Sequence, residues 1–417
     1  MATRLVALHL PPTRLPEQLA AVWDAGRAVL PLPWDAPAGV VGTVLEALRP
    51  HELLTLGPGG RRVERTLLGD PRTVPDGTAL VLTTSGSTGG PKGVLLPHTA
   101  LRASTVASIE RLGARPGDRF VLALPLHHVA GLQVVLRSWA CGTEPQLVAD
   151  PGDPTAIAAT DGEHISLVPT QLARLLDAAP TLDPLPPWRS VLVGGAHLDA
   201  DLDARAREAG IPVVTSYGMT ETCGGCVYDG HPLDGVEVAL REDRRIRIRG
   251  PVLFSGYLDV PGPVSGSGPR TQGAAARAGT PVTRPPLDRD GWFTTSDLGE
   301  VRDGRLRVLG RGDDVIISGG ENVPAATVAT ALRTHPGVAD AAVVGLPDPR
   351  WGERVVAVAV PADPASPPTL EVLRAHVGTT HPAAFAPRQL VLVDALPRDG
   401  MGKVTRDALH ALIAGTT

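Results

Sequence analysis

The sequence predicts an α/β protein with a large N-terminal domain built from βαβ-type sheets and a small α+β C-terminal domain. Two observations predict this class. Short apolar runs alternate with helical segments as far as about residue 215, and a different pattern of strands and helices follows residue 312. The chain has 417 residues, 43% of them hydrophobic, which is enough for two or three domains with ordinary cores.

The N-terminal pattern consists of short runs rich in Val, Leu or Ile, each closed by Gly, Pro or polar residues. Such runs are typical of buried strands. The predicted strands are residues 79–83, 120–124, 165–168, 190–193 and 212–215, and the predicted helices are 171–179 and 200–209. This alternation indicates a parallel sheet, in which ligands bind beyond the carboxyl ends of the strands.

The C-terminal pattern predicts helices at 324–334, 369–377 and 405–414 and strands at 339–344 and 354–360. We therefore place the domain boundary between an N-terminal domain, residues 1–312, and a C-terminal domain, residues 313–417. Residues 261–286 are rich in Gly, Pro, Ser, Ala and Thr and have almost no large apolar side chain. Such a segment cannot offset its ordering entropy by burial, so we interpret it as a flexible surface insertion.

Composition excludes several classes of function. The net charge of -5 and the 3% aromatic content argue against nucleic-acid binding, which uses basic surfaces and stacked rings. Three cysteines cannot form a disulfide framework, which favours a reducing compartment. The N-terminus does not resemble a signal peptide, and no apolar stretch reaches the ~18 residues of a membrane helix. We expect a cytoplasmic protein without membrane insertion.

The most distinctive stretch is residues 83–93, Thr-Thr-Ser-Gly-Ser-Thr-Gly-Gly-Pro-Lys-Gly, directly after a predicted strand. Hydroxyl groups, free backbone N–H groups and a lysine suit a polyphosphate. Two departures separate the stretch from the P-loop: Pro91 removes an N–H group, and Gly93 replaces the magnesium-binding hydroxyl. It is therefore a phosphate loop of another kind, with the candidate ligands Thr84, Ser85, Gly86, Ser87, Thr88, Gly89 and Lys92.

This loop resembles the signature loop of the adenylate-forming enzymes, which include acyl-CoA ligases, adenylation domains and luciferases. Further stretches match motifs of that family in order from about residue 80 to residue 407, whereas about the first 75 residues carry no motif. The resemblance implies ATP, Mg²⁺ and coenzyme A as the cofactor set. It also implies a two-step reaction: a carboxylate attacks the α-phosphate to give acyl-AMP and pyrophosphate, and the CoA thiol then attacks the acyl-AMP.

Residues 217–221, Tyr-Gly-Met-Thr-Glu, match a second motif of the family. The resemblance implies that Thr220 contacts the α-phosphate and that Glu221 binds Mg²⁺, an ion commonly held by one carboxylate together with phosphates. Small residues after another predicted strand are expected to line the adenine, because they allow close approach. The ATP-binding set implied here is Gly194, Gly195, Ala196, Ser216, Tyr217 and Gly218.

The same resemblance assigns roles near the predicted domain boundary. Asp297 matches the aspartate that holds the ribose hydroxyls, although Ser296 stands where the family usually has glycine, and Arg311 matches an arginine near ribose and phosphate. Asp313 matches the hinge of a mobile C-terminal lid, and Lys403 matches the lysine that completes the adenylation site. Rotation of the lid would exchange that lysine for a CoA-side face containing Gly319, Gly320 and Glu321.

Residues 124–132 bear on the identity of the acid, because they follow a predicted strand. They resemble most the o-succinylbenzoate–CoA ligases of menaquinone synthesis, in which His128 aligns with a residue that borders the acyl pocket. Arg137 lies where this branch can place an arginine near a second carboxylate, which a guanidinium binds bidentately. A surface position on a helix is the alternative for this arginine. The other expected pocket residues are Ser216, Thr222 and Gly224.

Other interpretations of two motifs stay open at this stage. Residues 127–128 resemble the start of an HHxxxDG acyltransferase motif, but Leu132 and Gln133 replace its Asp-Gly pair. Cys223 and Cys226 form a CxxC pair, which could line the pocket, act as a redox pair or bind a metal. A zinc site would need further ligands.

The ATP-binding residues do not by themselves select one acceptor. Another aryl or fatty acyl-CoA ligase, or an adenylation enzyme that loads a carrier protein, would share them. A non-catalytic relative is disfavoured because Glu221 and Lys403 are both present. We expect small-molecule partners, namely a carboxylic acid, ATP and CoA, and a homodimer is left open.

Overall fold

The computed structural model describes residues 2–85, 91–182, 185–258, 282–283, 287–312, 315–318, 321–398 and 404–415. The strands are β1 (Ala2–His9), β2 (Ala28–Pro31), β3 (Glu52–Leu56), β4 (Val63–Leu67), β5 (Thr73–Pro75), β6 (Thr78–Ser85), β7 (Pro91–Pro97), β8 (Phe120–Leu122), β9 (Gln146–Leu147), β10 (His164–Leu167), β11 (Ser190–Val193), β12 (Val213–Met219), β13 (Gly224–Tyr228), β14 (His231–Pro232), β15 (Glu237–Leu240), β16 (Arg245–Arg249), β17 (Gly256–Leu258), β18 (Val282–Thr283), β19 (Phe293–Arg302), β20 (Arg305–Arg311), β21 (Val315–Ser318), β22 (Glu321–Pro324), β23 (Val338–Asp348), β24 (Gly352–Pro361) and β25 (Gln389–Leu392). The helices are α1 (Leu15–Asp24), α2 (Ala38–Leu48), α3 (His98–Leu112), α4 (Val129–Ala140), α5 (Pro154–Ala158), α6 (Pro169–Ala178), α7 (Ala200–Glu208), α8 (Ala325–Arg333), α9 (Leu370–Gly378) and α10 (Arg406–Gly415).

Contacts divide the chain into two compact units. The first consists of Met1–Glu237 and Arg249–Phe293, and the second of Val238–Ile248 and Thr294–Thr417. The antiparallel sheet β15-β16-β19-β20 thus groups almost entirely with the C-terminal part of the chain. The predicted boundary after residue 312 was placed at the expected hinge of a mobile domain and not by contacts. It stays a prediction.

The first unit contains a mixed nine-stranded sheet in the order β18-β17-β7-β6-β2-β1-β3-β4, with β5 paired to β1. Strand β1 alternates between two cores: Val6 and Leu8 share a cluster with residues of α1, and Leu5 and Ala7 share one with residues of α2. All four side chains are 0% exposed. The N-terminal region without a motif therefore builds one half of the sheet, and the other half contains the β6–β7 hairpin.

A seven-stranded sheet in the order β14-β13-β12-β11-β10-β8-β9 completes the first unit. Strands β8 to β12 pair in parallel, as the alternation of strands and helices predicted. Residues of α6 and α7 contribute to the core on one side of this sheet, and residues of α3 and α4 to the other core. The predicted α/β class is confirmed.

Strand β12 runs further than predicted, because residues 216–219 pair with the antiparallel strand β13 instead of leaving the sheet. The predicted insertion at 261–286 lies outside the described residues except for Val282–Thr283, which pair as β18 with β17.

In the second unit, a five-stranded sheet has the order β22-β21-β24-β23, with β25 parallel to β24. Strands β23 and β24 form a long antiparallel pair, and Val355 to Ala359 are 0% exposed. The predicted α+β pattern of this part of the chain is confirmed. Its three predicted helices correspond to α8, α9 and α10, within a residue or two at each end.

Candidate active site

The predicted phosphate loop connects the strands of an antiparallel hairpin. Thr84 pairs with Lys92 across β6 and β7, so Lys92 lies in a strand and not in the loop that the sequence suggested. Gly93 packs tightly: an added Cβ would approach Leu48, Val81 and Leu258 at 3.0–3.1 Å. Packing therefore explains why glycine stands where a P-loop has a hydroxyl residue. The predicted ligands Gly86, Ser87, Thr88 and Gly89 lie outside the described residues, and the side chain of Ser85 is not described.

Neighbouring parallel strands bring the predicted adenine residues and Ser216 together, as expected for carboxyl ends that meet at one edge of a sheet. Gly194 follows β11, and its N–H donates to the carbonyl of Leu167 at the end of β10, at 3.2 Å. A Cβ on Gly194 would lie 3.1 Å from Cβ of Ser216 on β12. Gly195 has a φ of +82°, a left-handed conformation that favours glycine, and it is exposed with Ala196.

The motif at 217–221 is shaped by the turn from β12 to β13. A Cβ on Gly218 would collide with the backbone carbonyl of Gly224. Residues Thr220–Thr222 form a 3₁₀ turn, and Cys223 then adopts a left-handed φ of 55°. A β-carbon is strained in that region, so the surrounding structure must hold the conformation.

Two buried side chains supply that support. Ser104 on α3 donates to the carbonyl oxygen of Cys223 at 3.1 Å, and Nε2 of Gln133 on α4 donates to the same oxygen at 2.8 Å. Thr105 in turn donates to Oε1 of Gln133 at 3.0 Å. Sequence reasoning missed these residues, because Gln133 was considered only as a mismatch to an acyltransferase motif. No motif or spacing in the sequence indicates that residues 104, 133 and 223 are in contact.

Thr222, which was predicted to wall the acyl pocket, is 0% exposed. Its hydroxyl accepts from the Met219 N–H at 2.9 Å and donates to the Gly224 carbonyl at 2.7 Å. The structure therefore places this hydroxyl inside the turn, where it satisfies backbone groups.

Glu221 is held at two points by the segment that contains β17. Its backbone carbonyl accepts from the Phe254 N–H at 2.9 Å, and its Oε1 accepts from the Tyr257 hydroxyl at 3.0 Å. The Nζ atom of Lys92 lies 3.3 Å from the centroid of the same Tyr257 ring. Burial and the Glu221 carboxylate raise the pKa of Tyr257, so the phenol stays protonated and donates. Tyr257 was not predicted as a site residue.

Arg137 is buried in the last turn of α4, with 2% of its surface exposed. The surface-helix alternative for this residue is therefore wrong. Its Nη1 donates to the Ser108 hydroxyl at 3.1 Å and its Nη2 to the Ser166 hydroxyl at 3.0 Å. The Ser108 oxygen lies 2.8 Å from the Tyr228 hydroxyl. Both hydrogen-bond partners of the guanidinium are serine hydroxyls, so they do not neutralise the cation.

The same arginine has hydrogen-bonding capacity left over. Among the described residues, its Nε is buried without a hydrogen-bond partner, and the other guanidinium nitrogens contact serine hydroxyls and no carboxylate. A buried cation without a counter-ion is costly. The Arg137 cluster also approaches the predicted pocket, since a Cβ on Gly225 would contact both Ser216 and the Tyr228 ring.

His128 precedes α4 and is half-buried, and its ring lies 4.1 Å from that of His127. The pocket residue Gly224 faces the start of α4, because an added Cβ would lie 3.3 Å from Cγ of Gln133 and 3.9 Å from Cγ2 of Val129. The fold thus places Gly224 beside α4, the helix that His128 precedes.

The burial of the CxxC thiols disfavours the metal and redox interpretations of this pair. Cys223 and Cys226 are both 0% exposed, and burial raises the pKa of Cys223 and raises that of Cys226 to about 12. Protonated, inaccessible thiols neither bind metals nor exchange disulfides readily. Within the described part of the chain, no group of three or more His, Cys, Asp and Glu residues is arranged to hold a metal ion without other ligands.

In the second unit, the predicted ribose residues face each other across β19 and β20. Asp297 pairs with Arg311, and Oδ1 of the aspartate lies 3.8 Å from Nε of the arginine. Arg311 is exposed and Asp297 is half-buried. Glu321 begins β22 and is exposed. The predicted residues Asp313, Gly319, Gly320 and Lys403 lie outside the described residues.

Comparison with known proteins assigns a family to this arrangement. Residues 60–258 match the family described as AMP-binding enzyme, and residues 327–403 match the AMP-binding enzyme C-terminal domain. A probable 2-succinylbenzoate–CoA ligase of Mycobacterium tuberculosis is 43% identical over 82% of this chain and 86% of its own length.

Solved structures of o-succinylbenzoate CoA synthetases are also similar to this chain. An o-succinylbenzoate CoA synthetase from Bacillus subtilis, in complex with its acyl-adenylate intermediate, superposes with a TM-score of 0.79 at 27% identity, over 97% of this chain and 88% of that one. The complex of the Bacillus subtilis enzyme with ATP and magnesium has a TM-score of 0.79 at 26% identity, over 98% and 89%.

Proposed function

Because this chain belongs to the AMP-binding enzyme family, we propose that it is an ATP-dependent acid–CoA ligase whose acid is 2-succinylbenzoate. The ligase class and the use of ATP and magnesium, predicted from the signature loop, are confirmed by the relatives. The reaction would form 2-succinylbenzoyl-AMP and pyrophosphate, and then the CoA thioester that menaquinone synthesis uses.

The candidate groups for this chemistry lie in the first unit, where Tyr257 contacts both Lys92 and Glu221. The β6–β7 hairpin supplies Thr84 and Lys92, and the end of β12 supplies Ser216, Thr220 and Glu221. Hydroxyls and backbone N–H groups orient the polyphosphate. A lysine close to it stabilises the charge that develops as pyrophosphate leaves.

The Glu221 carboxylate fits a magnesium ion bound together with phosphates. Within the described residues, its Oε1 accepts a hydrogen bond from the neutral side chain of Tyr257 and the carboxylate forms no ion pair. Mg²⁺ is commonly held by one or two carboxylates with substrate phosphates. When bound, the ion would neutralise phosphate charge. The protein would hold the Glu221 carboxylate in place for this ion through the contacts of Glu221 with Tyr257 and Phe254.

Arg137 is the observation that supports a dicarboxylic acid. A carboxylate of the acid would supply the counter-ion that this buried guanidinium lacks among the described residues. A monocarboxylic acid would leave the cation uncompensated, because the attacking carboxylate must lie near the α-phosphate. We therefore assign Arg137 to the second carboxylate of the substrate, with Ser216, Gly224 and His128 around the ring.

The second half-reaction would require a change of position of the C-terminal segment. We propose that Lys403 assists adenylation, that rotation about Asp313 withdraws it, and that the face containing Gly319, Gly320 and Glu321 then lies beside CoA. Asp297 and Arg311 would hold the ribose. Support comes from the matching family sequence motifs and from the C-terminal family match at 327–403.

No helix of the described residues is long and apolar enough to cross a bilayer. The three cysteines are free and buried. We propose a cytoplasmic location, where thiols stay reduced and both ATP and CoA are available.

Pyrophosphate release across a panel of acids tests the proposal. With ATP, Mg²⁺ and CoA, we expect strong turnover on 2-succinylbenzoate and little on benzoate, a medium-chain fatty acid or an amino acid. Turnover on another acid alone would refute the substrate assignment but keep the ligase class. A parallel reaction with a holo-carrier protein in place of CoA tests the remaining alternative. A carrier-loading enzyme would form the acyl-carrier thioester in that reaction and would form no acyl-CoA when CoA is supplied instead.

A further inference from the structure

Tyr257 contacts two groups that the proposed reaction uses, although it lies 36 residues beyond the second motif. It sits in the middle of β17 opposite Val94, one position from the pair formed by Leu258 and Gly93. Its hydroxyl donates to Oε1 of Glu221 at 3.0 Å, and the Nζ atom of Lys92 lies 3.3 Å from its ring centroid. One side chain therefore joins the predicted magnesium ligand to the predicted phosphate lysine.

The ring is held rigidly enough to act on both groups. Tyr257 is 8% exposed, and its ring packs against Phe254 with centroids 4.8 Å apart and planes at 62°. Phe254 packs in the same way on Phe293, with centroids 5.2 Å apart. The backbone N–H of Phe254 also donates to the Glu221 carbonyl at 2.9 Å. The β17 segment thus positions Glu221 through both its backbone and its carboxylate.

The two contacts differ in strength. The hydrogen bond from a phenol to an ionised carboxylate is charge-assisted and directional, so it selects one orientation of the Glu221 side chain. An ammonium over a neutral ring is attracted more weakly, through the ring quadrupole. A polyphosphate offers the lysine full negative charges, so it would displace the ammonium from the ring while leaving the hydrogen bond in place.

We propose that Tyr257 is a positioning residue that orients Glu221 for magnesium and holds Lys92 on its ring until the polyphosphate of ATP takes the ammonium. This inference rests on the proposed function, since it assumes that ATP and magnesium bind at these residues. The alternative interpretation is that Tyr257 has a purely structural role, as an aromatic residue of the core that packs against Phe254. That interpretation does not require the hydroxyl, because Phe254 and Phe293 do without one.

Two substitutions separate the contacts. Tyr257→Phe removes the hydrogen bond and keeps the ring, whereas Tyr257→Leu removes both. Phe293→Leu is the matched control, because it disturbs the same aromatic cluster without touching Glu221 or Lys92. For Tyr257→Phe we expect the Mg²⁺ concentration at half-maximal acyl-adenylate formation to rise about tenfold, the effect of one charge-assisted hydrogen bond. The KM for the acid and the maximal rate at saturating Mg²⁺ should stay within about twofold.

Lysine spectroscopy tests the second contact without any turnover. The chain contains only two lysines, Lys92 and Lys403, so protein labelled with ¹³Cε-lysine gives two side-chain signals, which Lys403→Arg assigns. We expect an upfield ring-current shift for Lys92 in the wild type and in Tyr257→Phe, and its loss in Tyr257→Leu. Addition of ATP and Mg²⁺ should move the wild-type Lys92 signal towards the position that it has in Tyr257→Leu.

Three outcomes would overturn the proposal. The first is an unchanged Mg²⁺ dependence in Tyr257→Phe, and the second is an equal change in the Mg²⁺ dependence in Phe293→Leu. The third is a Lys92 chemical shift that is the same in Tyr257→Leu as in the wild type. Circular dichroism would establish that each variant is folded. Failure of the proposed function looks different. The wild type would then activate no acid on the panel, while the Lys92 shift and its loss in Tyr257→Leu would still be observed.

Discussion

The guanidinium of Arg137 and the hydroxyl of Ser166 lie 3.0 Å apart in the interior of the first unit, and they are 2% and 5% exposed. Ser166 lies on β10, one residue before that strand ends, so this contact brings a positive charge close to the ligand-binding edge of the sheet. A cation buried among hydroxyls destabilises the folded state unless a ligand compensates it. This arrangement is the basis of the proposed contact between Arg137 and the second carboxylate of the substrate.

Replacement of Arg137 by methionine should therefore separate stability from substrate use. We expect kcat/KM for 2-succinylbenzoate to fall by about 10- to 100-fold, the effect of a charge-assisted contact. The melting temperature should stay the same or rise, because a desolvated charge is removed. Steady-state kinetics and differential scanning calorimetry measure the two effects. A large fall in melting temperature with unchanged kcat/KM would make Arg137 a structural residue.

Gly218 should tolerate no side chain. Alanine there would collide with the Gly224 carbonyl, a backbone atom that cannot rotate away. We expect a loss of about 1–3 kcal/mol in the free energy of unfolding, together with loss of acyl-adenylate formation as the β12–β13 turn is displaced. Gly39→Ala is the control, because an added Cβ there meets nothing within 4 Å and the residue lies in α2. The control should be neutral or slightly stabilising. Equal urea denaturation curves for the two variants would contradict this account.

His164 should make the stability of the protein depend on pH. The ring is 1% exposed and lies between Ser190 and Asp118, with Nδ1 2.7 Å from the serine hydroxyl and Nε2 3.2 Å from the carboxylate. A carboxylate only accepts, so Nε2 donates to it and Nδ1 accepts from the serine. Burial, assisted by the positive charge of Arg137 and opposed by Glu163, lowers the pKa of His164 to about 4.

The sign of the effect follows from that pKa. The unfolded chain binds a proton near pH 6.5 and the folded chain only near pH 4. The contribution of the neutral ring to the free energy of unfolding is thus complete above pH 6.5 and is lost as the pH falls towards 4. It amounts to at most about 3 kcal/mol. Urea denaturation at pH 7.5, 6.0 and 5.0 measures this slope, and His164→Gln should flatten it. An identical slope in that variant would assign the pH dependence to other groups.

Lys403 should matter for one half-reaction only. Lys403→Ala is expected to lower acyl-adenylate formation by about 10²- to 10³-fold, as the loss of a group that stabilises developing charge does. Thioester formation from supplied acyl-AMP and CoA should change little. Lys403→Arg, which keeps the charge, serves as the partial-rescue control. Equal losses in both half-reactions would contradict the proposal that the lysine leaves the site between steps.

Much of the candidate site could be proposed from the sequence because its motifs are local. A phosphate-binding stretch, a strand followed by a threonine and a glutamate, and a lysine preceded by Gly-Met-Gly are short patterns whose chemistry depends on adjacent residues. The parallel order of β8, β10, β11 and β12 also followed from the alternation of apolar runs with helical segments. The location of Gly194 beside Ser216 then follows from the pairing of adjacent strands.

Other features depended on contacts between segments far apart in the chain. The sequence determined the family, the reaction class, the α/β architecture and most candidate ATP residues. Only the tertiary structure decided that Arg137 is buried, that Gln133 and Ser104 hold the Cys223 carbonyl, and that Tyr257 joins Glu221 to Lys92. A hydrogen bond or ring contact between distant residues leaves no periodicity and no spacing in the chain. Such contacts become apparent only once the sheets have brought those segments together.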